Sequence, residues 1–459
     1  MDMAGSLFAG VDFIMREAAL FAAAGFLLLG LSDLAVDLLW LARRARRLGR
    51  PSLELADLPP PARPGRLAIF VPAWDESAVI GAMLRGAVSA WGEGDWRLYV
   101  GTYRNDPETV AAAAAVASTE RRVRVVTGEE PGPTTKAECL NRLWSAMLAD
   151  EAGEGRRFKA IVLHDAEDVV HPAEILLFDG LVERFDLVQL PVLPLIHPHS
   201  RWLGGHYADE FAESHGKEMV VRGALGAGLP SAGVGCALSR EALGRLAAGR
   251  GGLPFDSESL TEDYELGLRL ADAGGRRAFV RVAGADGEVV AIREYFPGTL
   301  TASVRQKARW MTGIALSGWD RLGWSGGLAE RWMRLRDRQS LLAAILLCAG
   351  YLALGLWLVL KAWQGAGGAG PAPLRPALSA LVAVNLGLLG WRLAVRAAFT
   401  SAAYGWREGV RAIPRMAVGN VVAILAAASA LSHYRALRRG ARPRWDKTGH
   451  IFPGCPATR

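Results

Sequence analysis

The chain has 459 residues, of which 51% are hydrophobic and 22% are charged, and its formal net charge is +7. This length leaves room for two or more domains, and the composition indicates a soluble part combined with a membrane-embedded part. Because arginines cluster beside apolar stretches, the positive charge favours anionic lipid over nucleic acid as a partner. The four cysteines lie far apart without a C-x-x-C pattern, which argues against a zinc site and a disulfide framework.

The first predicted element is a membrane-spanning helix over residues 18–41. These residues are nearly all apolar and exceed the roughly 20 that cross a bilayer, and the run is too long for the core of a signal peptide. Asp33 and Asp37 lie inside it, either to pack against other helices or to serve a function. Positive charge marks the cytoplasmic side, so the amino terminus is predicted outside and the next segment inside. The arginines on which this orientation depends are Arg43, Arg44, Arg46, Arg47 and Arg50.

A proline-rich linker from Pro51 to Pro64 follows, so residues 1–65 are predicted to be an anchor and a linker. A soluble domain is predicted over residues 66–320, where apolar strands alternate with helices. The predicted strands are 67–71, 96–102, 123–126 and 160–163, and the predicted helices are 77–90, 109–118 and 135–148. This alternation predicts right-handed crossovers and a mainly parallel, Rossmann-like α/β sheet, inserted between membrane helices. In such sheets ligands bind at the carboxyl ends of the strands.

Acidic residues follow three of the predicted strands, at the edge where a ligand is expected. Asp75 and Glu76 follow the first strand, Asp106 follows the second, and Asp165 and Glu167 follow the strand at 160–163. One acidic strand end is often a solvated turn or a helix cap, but three in succession indicate a site. On an extended chain Asp165 and Glu167 would point to the same side and offer oxygen ligands to Mg²⁺ or Mn²⁺. Such an ion neutralises the charge that develops on a diphosphate leaving group.

Two motifs lie farther along the chain. Glu262 and Asp263 belong to a T-E-D tripeptide that opens a predicted helix, a pattern that ordinary helix starts also show. Gln306, Arg309 and Trp310 form a Q-x-x-R-W pattern between the soluble domain and the next membrane-grade segment. On one helical face these three side chains can hold a sugar acceptor at the membrane surface.

Residues 321–459 are predicted to contain interfacial helices, two or three membrane spans and a basic cytoplasmic tail. Tryptophans among arginines up to residue 338 are typical of helices in the membrane interface. Residues 340–360 and about 377–395 are predicted to cross the membrane. The apolar stretch 413–431 is ambiguous, because a crossing there would place the arginine-rich tail outside. We therefore favour an interfacial or re-entrant helix for it.

The motifs and their order resemble those of family 2 glycosyltransferases with the GT-A fold. Asp165-Ala166-Glu167 takes the place of the D-x-D metal motif, although Glu167 replaces the usual second Asp, and residues 136–141 resemble the K-A-x-x-L-N segment. The resemblance implies that Asp263 is the general base, with Glu262 beside it, and that Asp106 hydrogen-bonds a uracil ring. The implied nucleotide-binding residues are Pro72, Trp74, Asp75, Glu76, Asp106, Lys136 and Asp165.

The tail sharpens this resemblance. Residues 445–450 read W-D-K-T-G-H and resemble the W-D-K-T-x-H segment of the bacteriophage adsorption protein B branch of the family. The Y-x-N-D pattern at 103–106 and the G-P-T-T-K pattern at 132–136 resemble the same branch. The alternative interpretation of the tail is a basic anchor on the membrane surface.

The resemblance implies a membrane-bound, inverting glycosyltransferase of the bacterial inner membrane, with its catalytic domain in the cytoplasm. It would use a nucleotide-sugar donor, UDP-linked, and Mg²⁺ or Mn²⁺ to extend an exopolysaccharide, with a lipid bilayer, an export partner or a homo-oligomer as further partners. The alternatives are transfer of a single sugar to a lipid phosphate and a non-catalytic membrane scaffold or phage-receptor component. No nucleic acid is expected as a partner.

Overall fold

The computed structural model of the chain describes residues 3–46, 48, 53–284, 286–443, 445, 447 and 449–453. Some residues that the sequence analysis singles out lie outside these ranges, namely Arg47, Arg50, Pro51, Asp446 and Thr448. The described residues form an α/β domain and a group of four long helices, one before the domain in the chain and three after it.

The domain is built on a sheet of seven strands among the described residues, in the order β3-β2-β1-β4-β6-β5-β7. Neighbouring strands are parallel except for β6, which runs antiparallel to β4 and β5. The prediction of a mainly parallel α/β sheet is therefore confirmed. The strands are β1 (Leu67–Pro72), β2 (Trp96–Tyr103), β3 (Val123–Gly128), β4 (Ala160–Leu163), β5 (Leu187–Gln189), β6 (Cys236–Ser239) and β7 (Arg277–Phe279).

Helices cover both faces of this sheet. All six residues of β1 are buried, as expected for a strand with helices on either side. Because successive side chains of a strand point to opposite faces, Ile69 belongs to one core with Met83, and Phe70 to a second core with Leu143 and Trp144. The first helices of the chain are α1 (Met3–Ala45), α2 (Ile80–Trp91), α3 (Pro107–Ala117), α4 (Lys136–Glu154), α5 (Glu174–Leu181), α6 (Leu203–Glu213), α7 (Met219–Ala224), α8 (Arg240–Ala248) and α9 (Glu262–Asp272).

Local capping explains where the structure departs from the predicted helix boundaries. Helix α3 begins two residues earlier than predicted, because Asp106 caps it and Pro107 occupies its first turn. Helix α4 runs to Glu154 rather than to residue 148 and stops where Gly155 adopts a left-handed conformation. Thr135 and Glu138 form a capping box at its start.

The remaining helices are α10 (Leu300–Trp310), α11 (Gly318–Leu322), α12 (Leu328–Arg338), α13 (Ser340–Gly365), α14 (Pro376–Tyr404) and α15 (Trp406–Arg438). Two π-helical segments interrupt the chain, Ser214–Glu218 between α6 and α7 and Met311–Ser317 between α10 and α11. Such segments are rare and occur frequently at functional sites. Both contribute side chains to the cavity described below.

Four of the described helices are long and apolar enough to cross a membrane, namely α1, α13, α14 and α15. The first three contain the predicted spans. Asp33 and Asp37 of α1 bind side chains of other helices, which agrees with the interpretation that they serve in packing. Asp37 accepts hydrogen bonds from Lys217 (2.5 Å) and from the indole of Trp391 (2.8 Å), and Asp33 forms an ion pair with Arg336 at 3.0 Å.

Helix α15 is a single unbroken helix, so the re-entrant interpretation of residues 413–431 is wrong. A re-entrant segment has to turn back within the membrane, and α15 contains no turn. Its contacts also keep it close to the soluble domain, because Arg415 pairs with Asp209 (2.8 Å) and Tyr434 donates to Asp320 (2.6 Å). These two contacts lie about 28 Å apart along the helix axis, at a rise of 1.5 Å per residue. The helix therefore contacts the α/β domain at two distant points, and an interfacial position of residues 413–431 stays a prediction.

The sequence suggested that the arginines of α12 lie in the membrane interface, and the structure gives them a different environment. Arg334 is fully buried and pairs with Asp272 and Glu330, both at 2.6 Å. Asp337 of the same helix pairs with Arg222 of α7 at 2.7 Å. This charged face of α12 thus packs against the α/β domain, while the apolar Leu328 of the same helix is 86% exposed.

Candidate active site

Most of the predicted site residues meet at one cavity of about 350 Å³, at the carboxyl ends of β1 and β4. This position agrees with the expectation that ligands bind at the carboxyl ends of the strands in such a sheet. Trp74, Asp75, Asp106 and Glu262 do not line the cavity. The predicted residues that do line it are Pro72, Glu76, Lys136, Asp165, Glu167, Asp263, Gln306, Arg309 and Trp310.

Lys136, the first residue of α4, supplies a buried positive charge at one end of the cavity. Its ammonium group lies 2.6 Å from Asp165. Burial alone would lower the pKa of Lys136, but the carboxylates of Asp165, Glu262 and Asp263 raise it above its ordinary value. Lys136 therefore stays positively charged and is available to a ligand that brings negative charge.

The segment that carries Asp165 and Glu167 is a turn and not an extended strand, so the side-by-side arrangement expected from the sequence is wrong. The reason is Asp168, whose carboxylate accepts the backbone N–H of Asp165 at 3.1 Å. The ring of His164 lies 2.7 Å from the same carboxylate and 3.1 Å from Glu174. This buried group of His164, Asp168 and Glu174 was not identified from the sequence, because each side chain alone resembles a strand end or a helix start.

Glu167 lines the same cavity as Asp165 and also belongs to a cluster that involves the carboxyl-terminal tail. Among the residues that the structure describes, Glu76, Glu167 and His450 form a group whose ligand atoms all lie within 4.8 Å of one another. His450 Nδ1 is 2.9 Å from Glu76, and its Nε2 is 3.1 Å from Glu167. Burial raises the pKa of Glu167, which the charge of His450 opposes. Burial would lower the pKa of His450, but the two glutamates outweigh it and raise that pKa.

The carboxyl-terminal tail thus enters the site, and the interpretation of the tail as a membrane-surface anchor is wrong for its described residues. The backbone N–H of Trp445 donates to the carbonyl of Thr134 at 2.9 Å. The ammonium group of Lys447 lies 3.3 Å from Glu76 and 3.7 Å from Asp75. Trp445, Lys447 and His450 all line the cavity. The sequence marked these residues as a family motif, but it did not indicate that they reach the acidic cluster.

The loop before α4 forms the rim of the cavity beside the tail. Asn105 exchanges two hydrogen bonds with the backbone of Gly132, at 2.8 and 2.7 Å. A β-carbon on Gly132 would come within 2.7 Å of the ring of Trp74 and 2.8 Å of that of Tyr103. Glycine is therefore required for this close approach between loop and rings.

Asp106 shapes the same rim through the backbone. Its carboxylate accepts the N–H of Asp75 at 2.6 Å and that of Thr109 at 3.4 Å. Asp75 has φ 55°, a left-handed conformation that few residues other than glycine adopt, and the bond from its N–H to Asp106 stabilises that turn. A uracil contact of Asp106 remains a prediction.

Asp263 faces the cavity from the first turn of α9. Burial raises the pKa of Asp263, while Lys136 and Arg309 oppose the rise. Burial and the nearby charge of Asp263 also raise the pKa of Glu262. Gly233, with φ 78°, lies so close to the Asp263 carboxylate that a β-carbon there would collide with it. The glycine-rich turn at 231–236 thus comes within contact distance of the acid.

Helix α10 lines another part of the cavity with the Q-x-x-R-W side chains. Gln306 Oε1 and Arg309 Nε are buried without a hydrogen-bond partner among the described residues, which leaves an acceptor and a donor available to a ligand. The ring of Trp310 lies 6.2 Å from that of Phe296 and 6.4 Å from that of Phe211. This end of the cavity therefore combines aromatic surface with open hydrogen-bonding capacity.

Glu294 is a further acid of the cavity that the sequence analysis missed. Burial raises its pKa well above the ordinary value, and the nearby carboxylates of Asp168, Glu167 and Asp165 add to this rise. It follows the apolar run Val289-Val290-Ala291-Ile292. No pattern in that run distinguishes Glu294 from an ordinary surface acid at the end of a strand.

Three comparisons relate this chain to known proteins. The family model described as glycosyltransferase like family 2 matches residues 64–313. The chain is 34% identical to bacteriophage adsorption protein B of Escherichia coli (strain K12) over 489 residues, which cover 99% of this chain and 64% of that protein. The same values hold for bacteriophage N4 adsorption protein B of Escherichia coli O157:H7. The chain therefore spans less than two thirds of the length of these relatives.

A solved structure with the same fold is the mannosyltransferase PcManGT from Pyrobaculum calidifontis, in complex with GDP-Man and Mn²⁺. It is 18% identical to this chain with a TM-score of 0.54, and the match covers 89% of this chain and 99% of that one. The fold, the motifs along one cavity and the family match over more than half of the residues agree. The chain belongs to the glycosyltransferase-like family 2.

Proposed function

We propose that the chain is a membrane-bound glycosyltransferase that transfers a sugar from a nucleotide-sugar donor to an acceptor held by α10. One observation carries the proposal. A single cavity brings together the cation Lys136, the acids Asp165 and Asp263, and the unpaired polar atoms of Gln306 and Arg309. Its volume of about 350 Å³ lies within the usual range of ligand sites.

The donor end is suited to a nucleoside diphosphate. Lys136 and the amino-terminal end of α4 both present positive charge to the cavity. The residues also fit a divalent ion, because Glu76 and Glu167 carry oxygen atoms within 4.8 Å of one another and Asp165 lines the same cavity. We assign the Mg²⁺ or Mn²⁺ site to Asp165 and Glu167. When bound, the ion would neutralise the charge that develops on the leaving diphosphate.

The acceptor end is suited to a carbohydrate. The free atoms of Gln306 and Arg309 can bond sugar hydroxyl groups, and the face of Trp310 offers an apolar surface for a sugar ring. The Q-x-x-R-W pattern is typical of processive synthases and therefore favours a growing exopolysaccharide as the acceptor. The uracil contact that the family resemblance implies for Asp106 favours a UDP-linked donor.

The chemistry requires one base at the reacting hydroxyl. Asp263 takes the proton of the acceptor hydroxyl as its oxygen attacks the anomeric carbon and the nucleoside diphosphate leaves from the opposite face. This displacement inverts the anomeric centre and needs no second carboxylate as a nucleophile. Glu262 does not line the cavity, so in this proposal it acts on the charge and position of Asp263.

The tail contacts support a topology with three crossings, by α1, α13 and α14. The tail and the catalytic domain must lie on the same side of the membrane, since Lys447 and His450 contact Glu76. Thr400 near the end of α14 already contacts Asp209 of the domain at 3.2 Å. A single crossing by α15 would separate the tail from the site. The arginines after α1 support a cytoplasmic position for this side, at a bacterial inner membrane.

The test of the function is a panel of nucleotide sugars, given to the purified full-length protein in detergent with Mn²⁺. We expect a polymeric product from one donor. A product with a single sugar on lipid would support the lipid-phosphate alternative, whereas no turnover and no nucleotide release with any donor would support the scaffold.

The topology is tested with a tag at the carboxyl terminus and protease in sealed membrane vesicles. We expect cleavage of the tag in inside-out vesicles and protection in right-side-out vesicles. The reverse pattern would contradict an interfacial α15.

A further inference from the structure

We propose that His215 is a further acceptor-binding residue, whose Nε2–H donates a hydrogen bond to a hydroxyl group of the sugar acceptor. His215 belongs to the π-helical segment Ser214–Glu218 and lines the same cavity as Gln306 and Arg309. The assignment rests on the proposed function, because it concerns the acceptor of that reaction. It adds a neutral donor to the acceptor end, from an element outside the Q-x-x-R-W helix.

One hydrogen bond fixes the tautomer of the ring. Nδ1 of His215 accepts the backbone N–H of Val192 at 2.8 Å. A neutral imidazole has one N–H and one acceptor nitrogen, so a ring whose Nδ1 accepts a hydrogen bond carries its proton on Nε2. His215 therefore presents a donor, and not an acceptor, at Nε2.

The surroundings of the ring keep it neutral. His215 is only 4% exposed, and burial together with the positive charge of Arg281 lowers its pKa to about 3. Arg281 also donates to the backbone carbonyl of His215 at 2.9 Å, which keeps this charge close to the residue. A neutral N–H suits an uncharged hydroxyl group, whereas a phosphate binds most strongly to a charged donor.

Nε2 of His215 is open to the cavity. Among the residues that the structure describes it forms no hydrogen bond, and it is not one of the fully enclosed polar atoms that lack a partner. Because His215 lines the cavity, the free nitrogen faces that space. Its ring lies 5.1 Å from that of Phe211, which in turn lies 6.4 Å from the ring of Trp310. The donor is thus placed beside the aromatic surface that we assign to the acceptor.

The π-helical segment is fixed to the first membrane-spanning helix, α1. Lys217 pairs with Asp37 of α1 at 2.5 Å and with Glu213 of α6 at 2.7 Å. The indole N–H of Trp40, also in α1, donates to the carbonyl of Gly216 at 3.1 Å. These contacts hold the two residues that follow His215. A donor held in this way loses little freedom when a ligand binds, so its hydrogen bond contributes more to affinity.

The experiment compares two substitutions that each keep one function of the ring. In His215→Asn the side-chain oxygen can take the place of Nδ1 and accept the N–H of Val192, but the donor at Nε2 is lost. In His215→Gln the amide N–H can take the place of Nε2, but the acceptor for Val192 is lost.

The acceptor KM is measured with the full-length protein in detergent, with Mn²⁺ and the donor that the panel identifies. The acceptor is a set of short oligosaccharides cut from the polymeric product. His215→Asn should raise the acceptor KM about five- to tenfold, as expected for one neutral hydrogen bond, with kcat and the donor KM unchanged. His215→Gln should keep the wild-type acceptor KM.

Thermal denaturation should rank the two variants in the opposite order. His215→Gln leaves the buried N–H of Val192 without a partner and should lower the melting temperature, whereas His215→Asn should not. A merely structural role of His215 would instead make the less stable variant the poorer enzyme.

Nuclear magnetic resonance of protein carrying ¹⁵N-labelled histidine gives a readout without turnover. We expect the Nε2–H tautomer for the signal that disappears in His215→Asn, and a shift of this signal when the same oligosaccharides are added. His206→Asn changes a buried histidine of α6 that does not line the cavity. It serves as the matched control, with the acceptor KM unchanged.

The assignment is wrong if His215→Asn keeps the wild-type acceptor KM, if both variants raise that KM equally, or if Nε2 carries no proton. Polymer formation by the wild type would in each of these cases leave the proposed function intact. A product with a single sugar on lipid phosphate would also contradict the assignment, because that acceptor offers phosphate in place of a sugar hydroxyl group. Absence of turnover with every donor would contradict the proposed function and this role of His215 together.

Discussion

The two ends of the cavity differ in how their polar groups are paired. At the donor end, Lys136 pairs with Asp165, and His450 contacts both Glu76 and Glu167. At the acceptor end, Gln306 Oε1 and Arg309 Nε are buried without partners among the described residues. The charged groups of the donor end are therefore already paired, whereas the acceptor end keeps buried hydrogen-bonding positions open.

This difference matches the chemistry of the two substrates. A diphosphate and a divalent ion bring several charges, and a site that holds fixed charges before binding needs little reorganisation when they arrive. A sugar brings neutral hydroxyl groups, and buried atoms without partners gain hydrogen bonds only when such a ligand enters. Asp263 lines the same cavity, and the charges of both Lys136 and Arg309 act on its carboxyl group.

The largest effect is expected from a substitution that removes the proposed base and leaves both ends of the cavity unchanged. Asp263→Asn removes the base but keeps the side-chain size, so turnover should fall by about 10²–10⁴-fold. Donor binding, measured by calorimetry, should be preserved, because the donor end is unchanged. A variant with near wild-type turnover would contradict the assignment of the base.

Removal of the divalent ion addresses the donor end alone. Chelation with EDTA should lower turnover on the order of 100-fold or more, and added Mn²⁺ should restore it, because the leaving diphosphate would lose its neutralising charge. Binding of an acceptor oligosaccharide, measured separately, should not change. Full activity in EDTA would remove the ion from the proposed mechanism.

Gln306→Leu addresses the acceptor end. We expect the KM for the acceptor to rise about tenfold, equivalent to about 1.4 kcal/mol, with the donor KM unchanged. Stability should not fall, since the lost amide oxygen has no hydrogen-bond partner among the residues that the structure describes.

Lys136→Met is the corresponding substitution at the donor end, for comparison with Gln306→Leu at the acceptor end. It leaves Asp165 without its ion pair and should destabilise the fold by roughly 1–3 kcal/mol, less than for a fully buried pair because Asp165 is partly exposed. Thermal denaturation of Lys136→Met and Gln306→Leu tests whether only the first variant loses stability. Equal losses of stability would show that the two ends do not differ as described.

The smallest expected effect is a shift of the pH profile. The base must be ionised, and burial raises the pKa of Asp263 above its ordinary value. Activity should therefore decline as pH falls through this raised pKa, at a higher pH than an ordinary aspartate with a pKa of about 3.9 would give. Turnover measured against pH at saturating donor and acceptor tests this, and a profile that stays flat down to the ordinary range would contradict it.

Several features of the site could be predicted because they depend on local sequence. The strands ending before Asp75 and Asp165 follow from runs of apolar residues, and the position of Lys136 follows from the Thr135 cap. The helix that presents Gln306, Arg309 and Trp310 follows from their spacing, since residues three and four apart share a face. The arrangement of Asp165 and Glu167 could not be predicted, because the bond to Asp168 that turns the chain is formed by a side chain.

By itself the sequence determined the mainly parallel sheet, the edge at which the cavity lies and the kinds of side chain that line it, because these depend on periodicity and on residue type. Only the tertiary structure decided that His450 and Lys447 reach Glu76, across more than 370 residues of chain, and that α15 contacts the α/β domain. Contacts between distant segments depend on how whole elements pack, and no local pattern specifies that packing.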